Sequence, residues 1–365
     1  MVSENHTILA INFGSTSTKL GIFENDIEKH RRNLDHPRSE IDGYHSIADQ
    51  KPMRKEQVLG FLKAVNVKPE DLDAIAARAG ALPPLNAGAY RVNESMIDRL
   101  ARNPVADHVA NLCPIVAYEI AHPFGIPVYI YDSGTVDEMD EVARISGLPD
   151  IERKSLGHLE NMRAVAREVA SGKGKAYEEM DLIVAHLGGG ITLSIHCKGK
   201  MVDIISDDGG PFSPERAGIL PSIDLVKLCF SGKYDQETLI KQIRGRGGLF
   251  AYLDTADALE VEDRIRNKDE KARRVYQAMA YQVAKGIGEL ATVVDGAVDT
   301  IVLTGGHARS KMFTEWISKK VRFIAPGEII PGERELEALS LGTLRVLRGI
   351  EKAREYDIEF RKHDT

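Results

Sequence analysis

The chain is poor in cysteine, in long apolar runs and in blocks of like charge. Its three cysteines, Cys113, Cys197 and Cys229, are too scattered for a disulfide framework or a zinc site, and we expect all three to be buried small side chains. No stretch approaches the roughly 18 apolar residues that a membrane span needs. Residues 1–7 contain no basic segment followed by an apolar one, so we expect no signal peptide and a soluble, cytoplasmic protein.

Charge is spread evenly along the sequence. The formal net charge of −7 comes from 48 Lys and Arg residues against 55 Asp and Glu residues. Because no long block carries one sign, we expect neither a nucleic-acid-binding stripe nor a patch for anionic membranes. The hydrophobic fraction of 43% and the charged fraction of 28% are those of an ordinary folded protein. Small molecules are therefore the expected partners.

One pattern, a strand followed by a small-residue turn and a second strand, occurs twice. The first copy has an apolar run over 8–13, a turn over 14–18 and a second run over 19–23. The second copy begins at Leu182 and reads LIVAH, then three glycines, then ITLSIH. The two turns begin at Gly14 and Gly188, close to half a chain length apart. This spacing predicts a duplicated fold.

Helical and extended segments alternate through the chain, which predicts an α/β fold. The expected elements are a helix over 109–121, a buried strand over 128–131, a helix from Asn161 to about Ala170, a long helix from Ala272 to about Val294, an extended run over 300–303 and a last helix from Glu335 to about Arg348. At 365 residues the chain exceeds the size at which one hydrophobic core stops growing. We place two domains, at residues 1–160 plus 335–365 and at residues 161–334.

Three predicted strands end in turns rich in glycine or hydroxyl side chains, at residues 12–19, 186–190 and 303–307. Such a turn points several backbone N–H groups at one spot, where phosphate is the usual partner. The first turn does not match the G-x-x-x-x-G-K-[ST] pattern, so it is not a Walker loop. Each turn alone is equally typical of an exposed hairpin. Together they predict a nucleotide cleft between two similar domains.

Segments from one end of the chain to the other resemble the butyrate kinases of the acetokinase family. They read INFGSTSTKLGIF, VAHLGGGI, GPFSPERAG, KLCFSGK, VYQAMAYQVAKGIG, IVLTGG and FIAPGE. The resemblance implies the actin, Hsp70 and hexokinase-like fold, in which two duplicated ribonuclease H-like domains flank a nucleotide. It also implies Mg²⁺ and ATP or ADP as cofactors, and a homodimer or higher homo-oligomer formed through the second domain.

The activity that the resemblance implies is reversible, direct in-line transfer of a phosphoryl group from ATP to butyrate, giving butyryl phosphate and ADP. An acetate, propionate or branched-chain carboxylate kinase is the first alternative. An ATP-switched binding protein, like actin or Hsp70, is the second alternative, and it predicts ATP binding without carboxylate-dependent turnover.

The resemblance also implies roles for single residues. Those for nucleotide and phosphate binding are Asn12, Ser15, Ser17 and Lys19 in the first turn, His186, Gly188, Gly189 and Gly190 in the second, and Gly305 and Gly306 in the adenosine motif. The catalytic set is Arg78, Asp132, His158 and Arg216, with Arg78 and His108 binding the substrate carboxylate. The magnesium set is Asp132, Glu335 and Asn12.

These residue types suit phosphoryl transfer, which needs little covalent chemistry and much neutralisation of charge. A guanidinium binds a carboxylate or a phosphate through two hydrogen bonds, so Arg78 and Arg216 suit a clamp on both reactants. A carboxylate acceptor is already anionic and needs no general base. Asp132 is therefore better interpreted as an organiser of magnesium-bound water than as a proton acceptor.

The sequence departs from the acetate kinase pattern at two places. Around the first arginine, the pattern H-R-V-V-H-G-G-E is replaced by the apolar stretch 77–84, A-R-A-G-A-L-P-P. We interpret the smaller, apolar wall as a larger acyl pocket that favours butyrate over acetate. Glu335 is followed by Leu336 where acetate kinases carry a second glutamate, which puts the magnesium shell in doubt.

Overall fold

The computed structural model describes residues 5–15, 17–41 and 43–356. Thr16 in the predicted first turn, and residues 1–4 and 357–365 at the ends of the predicted first domain, lie outside the described residues. The chain divides into two compact units, one formed by residues 1–137 with 334–365 and the other by residues 138–333.

Strands and helices are numbered in chain order within the described residues. The strands are β1 (Thr7–Gly14), β2 (Ser17–Glu24), β3 (Ile27–Asp35), β4 (Ala74–Ala77), β5 (Ala89–Arg91), β6 (Val128–Tyr131), β7 (Leu182–Leu187), β8 (Ile191–Cys197), β9 (Lys200–Ile205), β10 (Thr300–Gly305), β11 (Gly327–Pro331) and β12 (Arg354–Glu355). The helices are α1 (Arg38–Ile41), α2 (Lys51–Ala64), α3 (Glu94–Arg102), α4 (Leu112–Ala121), α5 (Glu141–Arg144), α6 (Leu159–Gly172), α7 (Ser222–Cys229), α8 (Gln236–Ile243), α9 (Gly248–Leu253), α10 (Ala258–Arg266), α11 (Glu270–Ala291), α12 (Lys311–Val321) and α13 (Glu335–Leu347).

The first unit is built on a mixed sheet of the order β12-β5-β6-β4-β1-β2-β3. Strands β1, β2 and β3 form an antiparallel meander, with Gly14 of β1 opposite Ser17 of β2. Strands β4 and β6 then continue the sheet parallel to β1. Because β1 is buried along its centre, from Ile8 to Phe13, its sequence is a continuous apolar run rather than an alternating one.

The second unit repeats this arrangement in a sheet of the order β11-β10-β7-β8-β9. Strands β7, β8 and β9 form the antiparallel meander, and β10 and β11 extend it in parallel beside β7. The shared part of the first sheet, β6-β4-β1-β2-β3, has the same order and the same strand directions. The predicted duplication is therefore confirmed, and both sheets have the ribonuclease H-like strand order that the resemblance implies.

Helices cover the sheets as their apolar stripes require. The long helix α11 buries Met279, Val283, Ile287 and Leu290 in the core of the second unit, so the predicted stripe is ordinary core. In the first unit, α13 packs on the sheet through Leu336 and Leu339. A Cβ atom at Gly342 would overlap the ring of Tyr131, so the glycine sets how closely α13 approaches β6.

The boundary between the units differs from the predicted one near residue 160. Residues 138–160 belong to the second unit because their polar contacts lie there. Glu138 forms an ion pair of 2.5 Å with Arg163 of α6, and Arg153 pairs with Asp203 of β9 at 2.8 Å. The turn back into the first unit comes at Arg334, directly before α13.

The cysteine prediction was correct for one residue of three. Cys113 is buried, Cys197 is half-buried and Cys229, at the end of α7, is exposed. The prediction for Cys229 was wrong because α7 buries none of its residues. Within the part of the chain that the structure describes, no helix is both long enough and apolar enough to cross a membrane.

Candidate active site

The first turn joins β1 to β2 and presents the predicted phosphate residues at different depths. Asn12, near the end of β1, is buried, whereas Ser15 is exposed at the turn. Ser17 and Lys19, on β2, are half-buried. A hydroxyl and an ammonium group therefore accompany the backbone of this turn at the surface, as anion binding requires.

Asn12 links the polar side chains at the end of β1. Its Nδ2 donates to Oε2 of Glu335 at 2.5 Å, and Lys19 Nζ lies 3.1 Å from the same oxygen. Arg78 donates to Oδ1 of Asn12 at 3.2 Å. The structure thus brings together four predicted site residues that are far apart in sequence. Glu335 is the first residue of α13, where the helix dipole favours a carboxylate.

Asp132 directly follows β6 and is held in an unusual backbone conformation. Its φ angle is +43°, which a non-glycine residue adopts rarely and which is common at functional sites. Its backbone N–H donates to the carbonyl of Gly88 at 3.1 Å, and its Oδ1 accepts from the N–H of Gly88 at 2.9 Å. These two contacts fix the buried carboxylate at the end of the strand.

Arg78 directly follows β4, and its loop is fastened by a residue that the sequence analysis missed. The buried Asn111 accepts from the N–H of Ala81 through Oδ1 at 2.7 Å and donates to the carbonyl of Ala106 at 2.9 Å. His108 lies close enough to Arg78 to be affected by its charge. Desolvation first, and the positive charge of Arg78 second, lower the pKa of the His108 imidazole.

The apolar replacements beside Arg78 belong to the core. Leu82 is fully buried and Ala79 is 5% exposed, both within the core of the first unit. Leu336, in the place of a second glutamate, is likewise buried, against Phe23 and its neighbours. The interpretation of these residues as the wall of a larger acyl pocket is therefore wrong for Ala79 and Leu82, since their side chains are already packed.

In the second unit, two predicted histidines form a stacked pair. The rings of His158 and His186 are parallel, with centroids 3.9 Å apart. Thr192 Oγ1 lies 3.1 Å from Nδ1 of His158, and Asn161 Nδ2 lies 2.9 Å from Nδ1 of His186. Both imidazoles are thereby fixed in orientation. Thr192 and Asn161 were not predicted, although Thr192 lies inside the recognised segment after the three glycines.

The triple-glycine turn lies against Arg216. A Cβ atom at Gly190 would come within 2.6 Å of the Arg216 guanidinium, whereas one at Gly189 would meet only Glu215 Oε2, at 3.3 Å. Ser213 Oγ donates to the carbonyl of Gly189 at 2.6 Å. The segment SPERAG is thus fastened to the turn, and the glycine at position 190 makes room for the arginine.

Arg216 is part of a cluster of three charged side chains. It forms an ion pair with the buried Asp207, whose Oδ1 also accepts from Arg244 at 3.1 Å. Burial, and then the positive charge of Arg244, lower the pKa of Arg216 to about 10. Arg216 therefore remains a cation at neutral pH. Asp207 and Arg244 were missed because nothing in their local sequence distinguishes them from surface charges.

The third turn follows β10, where Gly305 and Gly306 play different parts. Gly305 has a φ angle of +90°, and a Cβ atom there would come within 2.6 Å of the Leu187 carbonyl. A glycine is thus required for β10 to pass the end of β7. A Cβ atom at Gly306 would meet nothing within 4 Å. Open space therefore adjoins the backbone where the resemblance implies adenosine.

Among the described residues there is no cluster of three or more His, Cys, Asp and Glu side chains suited to a metal ion. Mg²⁺ does not need one, because it keeps most of its waters and takes one or two carboxylates together with substrate phosphates. Asp132 and Glu335, each at the end of an element of the first unit, offer carboxylates of this kind. The donor set therefore fits Mg²⁺ and does not fit a closed zinc site.

Known proteins resemble this chain along nearly its whole length. Residues 152–324 match the model of the acetokinase family. Butyrate kinase 2 from Clostridium acetobutylicum is 47% identical over 351 residues, which is 96% of this chain and 99% of that protein. Butyrate kinase 1 from the same organism is 46% identical over 353 residues, with the same coverage.

A solved structure has the same fold. The crystal structure of Porphyromonas gingivalis acetate kinase matches with a TM-score of 0.74 at 20% identity, covering 94% of this chain and 100% of that one. At that identity the likeness speaks for the fold alone, while the 47% identity over 96% of the chain speaks for the family. Together with the two ribonuclease H-like sheets and the linked polar residues at the end of β1, these matches place the chain in the acetokinase family.

Proposed function

We propose that this protein is a butyrate kinase, which transfers the γ-phosphoryl group of ATP to butyrate. The observation that carries the proposal is the linked set of Arg78, Asn12, Lys19 and Glu335 at the end of β1. It occurs in a chain that is 47% identical to a protein named butyrate kinase. An acetate or propionate kinase is the first alternative, because methylene discrimination by pockets is modest.

The reaction is a direct displacement at phosphorus. A carboxylate oxygen of butyrate attacks the γ-phosphorus, the bond from that phosphorus to the ADP oxygen breaks, and the electron pair leaves with ADP. The guanidinium of Arg78 pairs with the carboxylate and orients it, while Lys19 and the N–H groups of the first turn bind phosphate oxygens. No proton is removed, so the site requires no general base.

Glu335 and Asp132 are the proposed holders of Mg²⁺, with Asn12 orienting Glu335. When bound, the ion supplies positive charge to the β- and γ-phosphates. Glu335 already accepts hydrogen bonds from Asn12 and Lys19 on one oxygen, which fixes its direction. We further infer that His158, beside His186, stabilises charge on the transferred group, and that the second and third turns bind the rest of the nucleotide.

Butyrate as the acid rests on the identity to the butyrate kinases and not on pocket size, since Ala79 and Leu82 lie in the core. The test is an acyl-hydroxamate assay with ATP and Mg²⁺ across acetate, propionate, butyrate, isobutyrate and valerate, comparing kcat/KM. We expect the maximum at the four- or five-carbon acids. A maximum at acetate would make the protein an acetate kinase, and ATP binding without any acyl phosphate would leave an ATP-switched binding protein.

We also propose a homodimer formed through the second unit. Helix α11 is an unsuitable contact because its stripe is core, whereas α7 exposes Ile223, Val226 and Phe230, at 68%, 53% and 87%. Apolar exposure of this extent is typical of an interaction surface. A cytoplasmic location stays a prediction from the sequence.

Analytical ultracentrifugation of wild type and of Phe230→Asp tests the dimer. We expect a wild-type dimer and a monomeric variant. Phe323→Asp, which changes an equally exposed phenylalanine elsewhere in the second unit (83%), is the matched control and remains dimeric. A wild-type monomer at micromolar concentration removes the dimer, and a dimeric Phe230→Asp variant removes α7 from the interface.

A further inference from the structure

Helix α2 carries a fully buried arginine, Arg54, that has no part in the chemistry described above. One terminal nitrogen donates to the carbonyl of Ser17 and to Oγ1 of Thr18, both at 2.7 Å. The other donates to the carbonyl of Gly14 at 3.2 Å and to Oε1 of Gln50 at 3.1 Å. Arg54 is 0% exposed, so these contacts are shielded from water.

Two of these contacts fasten both ends of the first turn. Gly14 is the last residue of β1, Ser17 is the first residue of β2, and the two are paired across the hairpin. The guanidinium also lies 5.4 Å from the centre of the Phe13 ring, at the end of β1. A planar group with five donors in a rigid fork is suited to hold two carbonyls at a set separation. Arg54 therefore fixes the width of the turn from behind.

The charge of Arg54 is not balanced by its neighbours. Its hydrogen-bond partners are two carbonyls, a hydroxyl and an amide oxygen, all of them neutral. No carboxylate among the residues that the structure describes forms an ion pair with it. Burial lowers the pKa of Arg54, yet a guanidinium remains a cation at neutral pH. A buried cation without a counterion is costly unless an anion approaches.

We propose that Arg54 is a positioning residue for phosphoryl transfer, whose fork fixes the first turn and whose unbalanced charge is neutralised by the nucleotide phosphates bound on the other side of that turn. The inference rests on the proposed function in one respect, since it takes the first turn as the phosphate site. It assigns to the known reaction a residue that touches neither substrate. A purely structural arginine would affect all ligands alike.

The test separates the phosphates from the rest of the nucleotide. ATP and adenosine affinities are measured by isothermal titration calorimetry for wild type, Arg54→Met and Arg54→Lys. For Arg54→Met we expect ATP to bind about 10- to 100-fold more weakly, because a charge-assisted contribution is lost, and adenosine to bind as in wild type. For Arg54→Lys, which keeps the charge and loses the fork, we expect ATP affinity within about fivefold and a kcat about tenfold lower.

The matched control is Lys55→Met, which removes a cation from the next position of α2. Lys55 pairs with Glu119 at the surface, so ATP and adenosine affinities stay at the wild-type values. Thermal melts establish that each variant is folded. If Arg54→Met does not fold, Arg54→Lys carries the test through its separation of kcat from ATP affinity.

The proposal is overturned if a folded Arg54→Met binds ATP as wild type does, or loses ATP and adenosine affinity equally. It is also overturned if Arg54→Lys leaves kcat unchanged. The outcome is separable from that of the proposed function, because the binding titrations need no carboxylate. Wild type that binds ATP but makes no acyl phosphate contradicts the butyrate kinase assignment while the difference between ATP and adenosine still tests Arg54.

Discussion

The first turns of the two units occupy the same place in the same topology, yet their chemistry differs. The β1–β2 turn has hydroxyls, Lys19 on β2 and a buried cation behind it. The β7–β8 turn has three glycines, and its cation, Arg216, lies against the turn from a neighbouring loop. The duplicated backbone therefore fixes where an anion can approach, and the side chains around each copy decide how it is bound.

The largest effect is expected at the arginine that serves the first turn through Asn12. Arg78→Ala removes the proposed carboxylate partner, so kcat/KM for butyrate falls by about 10²- to 10³-fold while the melting temperature stays near that of wild type. Steady-state kinetics measure this. Arg102→Ala, an exposed arginine of α3 paired with Asp98, is the control and retains activity. Near-normal activity in Arg78→Ala removes that residue from the site.

A smaller loss is expected where the second turn meets its arginine. Gly190→Ala places a methyl group against the Arg216 guanidinium, and displacing such a group lowers kcat/KM by about 10- to 100-fold. Gly189→Ala, one position away, has room for its methyl group and changes kcat/KM by less than about threefold. Equal losses in the two variants would mean that the close approach of Arg216 is not what the glycine serves.

In the first turn, the corresponding glycine substitution is expected to cost less. A Cβ atom at Gly14 would lie 2.8 Å from Ser17 Oγ, which is the end of a side chain that can rotate away. We expect Gly14→Ala to lower kcat/KM by less than about tenfold, the cost of one altered rotamer. A loss as large as that of Gly190→Ala would mean that both turns depend on bare backbone, which contradicts the comparison.

The smallest effect concerns pH and the buried side of the first turn. His36 contacts Thr18 Oγ1 at 3.0 Å, and burial first, then the charge of Arg54, lower its pKa, while Glu40 and Asp35 raise it. The unfolded imidazole takes up a proton near pH 6.5 and folded His36 does so only at lower pH, so the free energy of unfolding falls as the pH drops below about 6.5.

Urea unfolding of wild type and of His36→Gln at pH values of about 7.5 and 5.5 measures this effect. Wild type should lose more stability than the variant over that interval, by at most about 1.4 kcal/mol. Parallel losses in the two proteins would show that His36 takes up its proton equally well in the folded state.

Much of the fold followed from the sequence because its signals are local. The buried strands, their glycine turns and the stripe of α11 are all written in short stretches of sequence. The boundary near residue 160 was misplaced because the contacts of Glu138 and Arg153 join residues that are 25 and 50 positions apart. No pattern within one segment reports such pairs.

The site was predictable only where a recognised motif marked it. Asn12, Lys19, Arg78 and Glu335 were named in advance and are linked in the structure. Arg54 was missed because a buried arginine in the middle of α2 reads as a surface charge. The positive φ of Asp132 was also missed, since aspartate has no exclusive preference for that conformation.

The most direct measurement of the central claim is ³¹P NMR of the protein with ATP, Mg²⁺ and butyrate. We expect an acyl phosphate resonance to grow in step with ADP, and to be absent with a folded Arg78→Ala variant. Conversion of ATP to ADP and inorganic phosphate that does not depend on butyrate, or acyl phosphate formed equally by Arg78→Ala, would contradict the account.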